Sequence, residues 1–203
     1  AAYDAFREYI RSDFDFTYYG RPVQDSFRQR FVSHFTFLYG LDIYDAEKNR
    51  FRINEFLDEG EQNFGGYDYM LLWHDYPRMG IDDRDQFDMY EDLPGGLEGV
   101  RDMVEIAHAR DVQVFIPYKP WDILKGRNDP FRQEARIAAT INANGIFLDT
   151  MSESDSTFRD ALDAVNKNIV FVSEGRPDLA AAEMVTGSWN QSGNATNEMP
   201  NVD

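Results

Sequence analysis

Two carboxylates stand where an apolar run ends: Asp149 closes GIFLDT (Gly145 to Thr150), and Glu174 closes IVFVSEG (Ile169 to Gly175). Each follows a β-branched or aromatic stretch of the kind that is buried on both faces of a parallel sheet. A charge left at the end of such a strand is costly unless it has a partner or a task. Two carboxyls on neighbouring strands suit glycosidic cleavage, in which one ionised and one protonated group flank the bond. The bland alternatives are a helix cap for Asp149 and an ion pair with Arg176 for Glu174.

Other polar and aromatic residues gather at the same ends. The first run gives Tyr39 and Asp42. The second gives Trp73, His74 and Asp75, and the third gives Tyr118, Lys119, Trp121 and Asp122. Arg176 follows Glu174, and Trp189 with Asn190 follows a short sixth run. Aromatic faces stack on the C–H faces of sugar rings, while carboxylates accept from hydroxyls. Tyr39, Trp73, His74, Asp75, Tyr118, Trp121, Asp122, Arg176 and Trp189 are therefore the expected sugar contacts. The alternative for any one aromatic is that it simply plugs the barrel mouth.

The elements that position these groups are legible as an alternation. Apolar runs FTFLYG (35–40), YMLLW (69–73), VQVFIPY (112–118), GIFLDT and IVFVSEG are separated by helical stripes in INEFLDEGEQNF (53–64), GLEGVRDMVEIAHARD (96–111), PFRQEARIAATINANG (130–145) and STFRDALDAVNKN (156–168). A βαβ alternation implies parallel strands joined by right-handed crossovers. Functional groups at every strand end favour a (β/α)8 barrel over an open sheet with one switch point. A whole barrel needs about 250 residues, and this chain has 203. The expectation is an α/β fold of the TIM-barrel type, incomplete, with five to six βα units. The remaining units would belong to a longer parent chain or to a partner chain. Residues 1–33 read as a helical and aromatic preamble, 34–190 as the partial barrel, and 191–203 as a polar tail.

Composition removes other classes. The sequence has no Cys, so thiolate chemistry and disulfides are excluded. Its 37 acidic and 20 basic residues give a net charge of −17, which repels phosphate backbones and makes nucleic acid an unsuitable partner. No apolar run reaches the ~18 residues of a membrane span. His34, His74 and His108 are too scattered for a catalytic metal site, and no cofactor is expected. The segment MGIDDRDQFD (79–88) reads as a solvated acidic loop. An extracellular or periplasmic setting is favoured over a cytoplasmic one.

GGLEGVRDMVEIAHARDVQVFIPYKPWD, then NGIFLDT, then VFVSEG resemble successive units of glycoside hydrolase barrels. The α-amylase family has a similar order: a helix ending in AHARG, a third strand, a nucleophilic Asp after the fourth strand and an acid Glu after the fifth. That resemblance implies Asp149 as nucleophile and Glu174 as acid. It covers roughly residues 67–175. IPYKPWD departs from that family's third-strand Asp-x-x-x-Asn-His, and Phe147 stands where its Arg would. The α-galactosidase and α-glucosidase clans are also similar, through a nucleophilic Asp after strand four. There the acid follows the sixth strand, which would make Glu174 a binding residue and put the acid beyond Asp203. The function expected is a glycoside hydrolase. A non-catalytic carbohydrate-binding or degenerate barrel, or an assembly subunit, is the alternative.

Overall fold

The computed structural model describes residues 2–76, 79–178 and 183–191; residues 192–203 of the expected tail lie outside them. Six parallel strands form one curled sheet, in the spatial order β1 (Ser33–Phe37), β4 (Tyr69–Trp73), β5 (Gln113–Tyr118), β6 (Gly145–Leu148), β7 (Val170–Ser173) and β8 (Gly187–Ser188). A small antiparallel hairpin of β2 (Tyr44–Asp45) and β3 (Arg50–Phe51) lies outside the sheet. Four helices connect the parallel strands: α3 (Ile53–Phe64), α4 (Gly96–His108), α5 (Pro130–Thr140) and α6 (Ser156–Val165). This is an α/β half-barrel of the TIM type, with strand after strand added in chain order.

Both faces of the four central strands, β4 to β7, are buried, which explains their continuous apolar runs. Met70, Leu72, Val114, Ile116, Tyr118, Ile146, Leu148 and Phe171 face the helices and join one large core. Tyr69, Leu71, Trp73, Phe115, Phe147, Val170 and Val172 form a second, inner cluster. The two sets alternate strictly along each strand, as the period-2 geometry requires. Gly145 has a specific task here, because a Cβ at that position would lie 2.7 Å from the Phe115 ring. The curl brings the two edge strands together through side chains, with Phe35 of β1 and Trp189 just past β8 at 5.7 Å between ring centroids.

The first strand starts and ends earlier than its apolar run, because Leu38 to Gly40 turn away from the sheet, with the Gly40 N–H bonded to the Phe37 carbonyl at 2.8 Å. Before it, α1 (Ala2–Asp13) buries no residue. The aromatic stretch after α1 has a clear role. A 3-10 turn at Tyr18–Gly20 and the short helix α2 (Pro22–Phe27) fold under the sheet. Phe27 packs on Tyr69 and Phe115 at 5.8 Å each, closing the N-terminal end of the inner cluster. Tyr18 Oη and Gln24 Nε2 meet Thr186 Oγ1, and Arg21 pairs with Asp163.

Candidate active site

Asp149 follows β6 on the inner face, and Glu174 holds the aligned place after β7. Leu148 and Ser173 are register partners immediately before them. The two carboxyls follow register partners on neighbouring strands and feel each other electrostatically. Asp149 is nearly buried and also accepts from Trp121 Nε1 at 3.0 Å. Glu174 accepts from the backbone N–H of Thr150 at 2.6 Å. Thr150 has φ of +56°, a left-handed conformation that a β-branched residue rarely adopts. Such strain, ~1–3 kcal/mol, persists only where the surroundings enforce it. Here it turns the chain so that the N–H after Asp149 reaches Glu174. Gly175 permits the close approach on the other side, since a Cβ there would strike Ser152 Oγ at 2.3 Å.

Neither bland alternative fits this geometry. The helix after β6 is capped by Asp155, whose side chain accepts from Thr157 N at 2.7 Å, so Asp149 is not the cap. Glu174 binds Thr150, and Arg176 is exposed.

Burial raises the Asp149 carboxyl first of all. Its hydrogen bond and repulsion with Glu174 add to the effect, and the pKa reaches about 7. Lys119 and the Trp121 indole pull the other way. In the free site the Asp149 carboxyl therefore keeps its proton up to near neutral pH.

Beside the pair lies a buried charged layer that extends the inner-face alternation. Asp75 follows β4 and Lys119 follows β5, and both are fully buried. They form an ion pair, and the Lys119 ammonium sits 5.0 Å from the centre of the Trp73 ring. Burial pushes the Asp75 carboxyl up, but His74 and Lys119 together outweigh that and hold it at about 2. His74 Nε2 faces the Gln86 carbonyl at 2.7 Å and an Asp75 oxygen at 2.9 Å. Two acceptors on one nitrogen mean that it carries the hydrogen. Burial and the Lys119 charge lower the His74 pKa, so the ring is neutral. Behind the sheet Glu134 of α5 is fully buried, and burial pushes its carboxyl up to about 8.

Several expected contacts lie elsewhere. His74 and Tyr118 fall on the helix-facing side by alternation. His74 stacks on Tyr90 at 3.9 Å, and Tyr118 packs against Phe131 and Phe158. Both are corrections, because neither faces the bowl. Tyr39 packs edge-on to Tyr44 at 5.2 Å beside the outer core. Trp73 and Asp75 face inward but are buried. Trp189 rests on Phe147 at 4.3 Å as part of the aromatic plug. Trp121 remains, 46% exposed and bonded to Asp149. Asp122 is half-buried beside it, and burial together with Asp75 raises its carboxyl to about 6. The structure adds two aromatics at the mouth that the sequence reading missed: Phe37 and Tyr76, each 45% exposed and stacked at 6.1 Å.

The acidic segment 79–88 is exposed over 80–83, as a solvated loop would be, and is corrected only in its second half. Asp85 and Gln86 are buried. Arg127 clamps Asp85 and Asp88, and Gln86 bonds the Lys119 backbone at both N–H and carbonyl, at 2.8 and 2.6 Å. This segment fixes Lys119. A groove of about 640 Å³ lies between α5 and α6, lined by Phe131, Arg132, Thr157 and Asp160, on the helical side of the sheet and away from both carboxyls.

No family model matches this sequence, and no curated protein matches it. Among solved structures, a β-arabinopyranosidase is similar at 15% identity with a TM-score of 0.42, over 78% of this chain and 25% of that one. The Group B Streptococcus pullulanase SAP is similar at 12% identity and a TM-score of 0.45, over 79% and 30% of the two chains. The structure of AsfvAP:AG is similar at 13% identity and a TM-score of 0.40, over 70% and 47%. The chain thus spans a quarter to a half of these proteins. Glycoside hydrolases are among its structural neighbours, and likeness at this level carries no argument for a shared reaction.

Proposed function

We propose that this half-barrel carries the catalytic carboxyl pair of a glycoside hydrolase, Asp149 and Glu174. The observation that carries the reading is their place directly after register partners of adjacent parallel strands, on the inner face at the C-terminal ends, where barrel active sites are built. Retaining enzymes hold the two carboxyls ~5–5.5 Å apart and inverting ones ~6.5–9.5 Å. Equivalent positions on neighbouring strands lie ~4.7–4.9 Å apart in the backbone, which suits the shorter separation and so the retaining arrangement. Asp149 then attacks the anomeric carbon as the C–O bond breaks, and Glu174 gives its proton to the leaving oxygen. Water next attacks the glycosyl ester, losing its proton to Glu174, and frees Asp149. Trp121, Tyr76 and Phe37 supply stacking faces at the mouth. The substrate is a neutral carbohydrate, which the net charge of −17 does not repel. The outer edges of β1 and β8 accept further strands from the same polypeptide or a partner.

The test is a hydrolysis screen on chromogenic glycosides and oligosaccharides, for the wild type, Asp149→Asn and Glu174→Gln. Turnover should fall by several orders of magnitude in either variant, as expected when a covalent or electrostatic catalyst is lost. Unchanged turnover in both variants removes the pair from the chemistry. Sugar binding by calorimetry with no hydrolysis would favour a carbohydrate-binding barrel.

A further inference from the structure

We propose that Lys119 is the positioning residue that decides which carboxyl of the pair is the nucleophile, its ammonium favouring the arrangement with Asp149 ionised and the proton on Glu174. The inference rests on the pair assigned above and names what directs it.

The backbone places Lys119 beside Asp149. Tyr118 and Leu148 are register partners, and the Asp149 N–H donates to the Tyr118 carbonyl at 3.0 Å. Gln86 grips the Lys119 backbone from both sides. The ammonium is held by Asp75 and by the Trp73 face, with no exposure to solvent. A buried ion pair is weak as a stabiliser, because desolvation offsets most of its attraction. Its field, by contrast, is strong where water is excluded.

That field reaches groups on every element around it. Asp75 after β4, Asp122 in the loop after β5, Glu134 on α5 and Asp149 after β6 all feel the Lys119 charge, which lowers each of them. His74 is neutral, Tyr90 stays protonated through burial, and Glu174 faces Asp149 from β7. The tautomers of the pair differ only in which carboxyl keeps one proton. A fixed cation beside one member biases that choice. Opposing it are the burial of Asp149 and the charge of Glu174, which keep the proton on Asp149 while the site is empty. A sugar bound between the carboxyls weakens the effect of Glu174 on Asp149 and leaves the Lys119 bias in place. One proton then passes from Asp149 to Glu174, with no oxidant or further reactant.

The experiment is a carbon-13 carboxyl NMR titration of Asp149 in this chain, with kcat/KM followed against pH wherever turnover is found. Lys119→Met should raise the Asp149 midpoint by about one unit or more, the usual effect of losing a close opposite charge. The acid limb of the pH profile should move up with it. Lys119→Arg should restore both. Asp75→Asn should move the midpoint down, since Lys119 then loses its competing partner. A merely structural lysine predicts no such opposite signs. If Lys119→Met does not fold, the Lys119→Met/Asp75→Asn double variant removes the unpaired buried charge and should still show the upward shift. An unchanged midpoint in folded Lys119 variants overturns the role of Lys119 alone. The expected shifts, in a protein whose wild type hydrolyses no glycoside, overturn the pair and the nucleophile assignment with it.

Discussion

The inner face of the sheet has two halves built on the same strands with the same alternation. The N-terminal half is Tyr69, Leu71, Phe115, Phe147, Val170 and Val172, sealed from below by Val23 and Phe27. The C-terminal half is Asp75, Lys119, Asp149 and Glu174, the next inward positions after β4, β5, β6 and β7. The first half consists of rings and branched side chains in direct contact. The second buries charges whose ionisation is displaced from ordinary values. Apolar packing is thus concentrated at one end of the half-barrel and the charged groups, where we propose the chemistry, at the other, a division that barrels permit because their strand ends are independent of their strand centres.

The largest effect should come from breaking the apolar half. Phe115 is buried against Tyr69, Phe27 and Gly145. Phe115→Ala should destabilise by about 3–5 kcal/mol, the range for an aromatic truncated in a core, measured by urea unfolding. Asp149→Asn, in the charged half, should leave stability level or higher, because it removes a carboxyl that burial disfavours. If the two variants lost stability equally, the division would be wrong.

A second test uses pH. The Glu134 carboxyl is raised from 4.5 to about 8 by burial. The folded chain therefore holds this proton where the unfolded chain has lost it. The resulting stability is complete below pH 4.5 and disappears as pH rises through 8. Glu134→Gln keeps the shape and removes the titration. The variant should gain on the wild type across that window by on the order of a few kcal/mol, read as melting temperature at pH 5 and pH 8. Asp122 and Asp149 slope the same way and remain in both proteins, so the difference isolates Glu134. A constant difference between the proteins at both pH values would place Glu134 outside the charged group.

How much of this was legible in the sequence depended on whether the signal was local. The five apolar runs and four helices between them declare themselves by period. Asp149 and Glu174 declare themselves by standing at strand ends. His74 and Tyr118 were misplaced although a signal existed: strict alternation from Trp73 puts His74 outside and Asp75 inside, and from Phe115 it puts Tyr118 outside and Lys119 inside. Glu134 gave no signal. It sits in PFRQEARIAAT among residues typical of an exposed helix face, yet it is fully buried within electrostatic reach of Tyr90, Tyr118 and Lys119, which come from distant positions. The second half of segment 79–88 was illegible for a similar reason. Asp85 and Asp88 pair with Arg127, some forty residues away, and that pairing leaves no local trace.

The smallest predicted effect concerns Trp121, where the two halves of its side chain have separate tasks. Its ring is 46% exposed at the mouth, as a stacking face requires, while its Nε1–H donates to Asp149 at 3.0 Å. Trp121→Phe keeps an aromatic face and deletes the donor. A hydrogen bond to a carboxylate contributes roughly 1.5–3 kcal/mol when buried and less when partly open to water, so the stability change should be about 1 kcal/mol or below. The sharper readout is Asp149. The indole lowers its carboxyl, so the Asp149 midpoint should rise in the variant, in the same direction as for Lys119→Met but by less, because a neutral dipole replaces no full charge. KM for a sugar should change little if the Phe ring still stacks, while Trp121→Ala should raise it. A Trp121→Phe variant with an unmoved Asp149 midpoint and a raised KM would assign Trp121 wholly to the sugar and leave Lys119 as the group acting on the pair from the protein side.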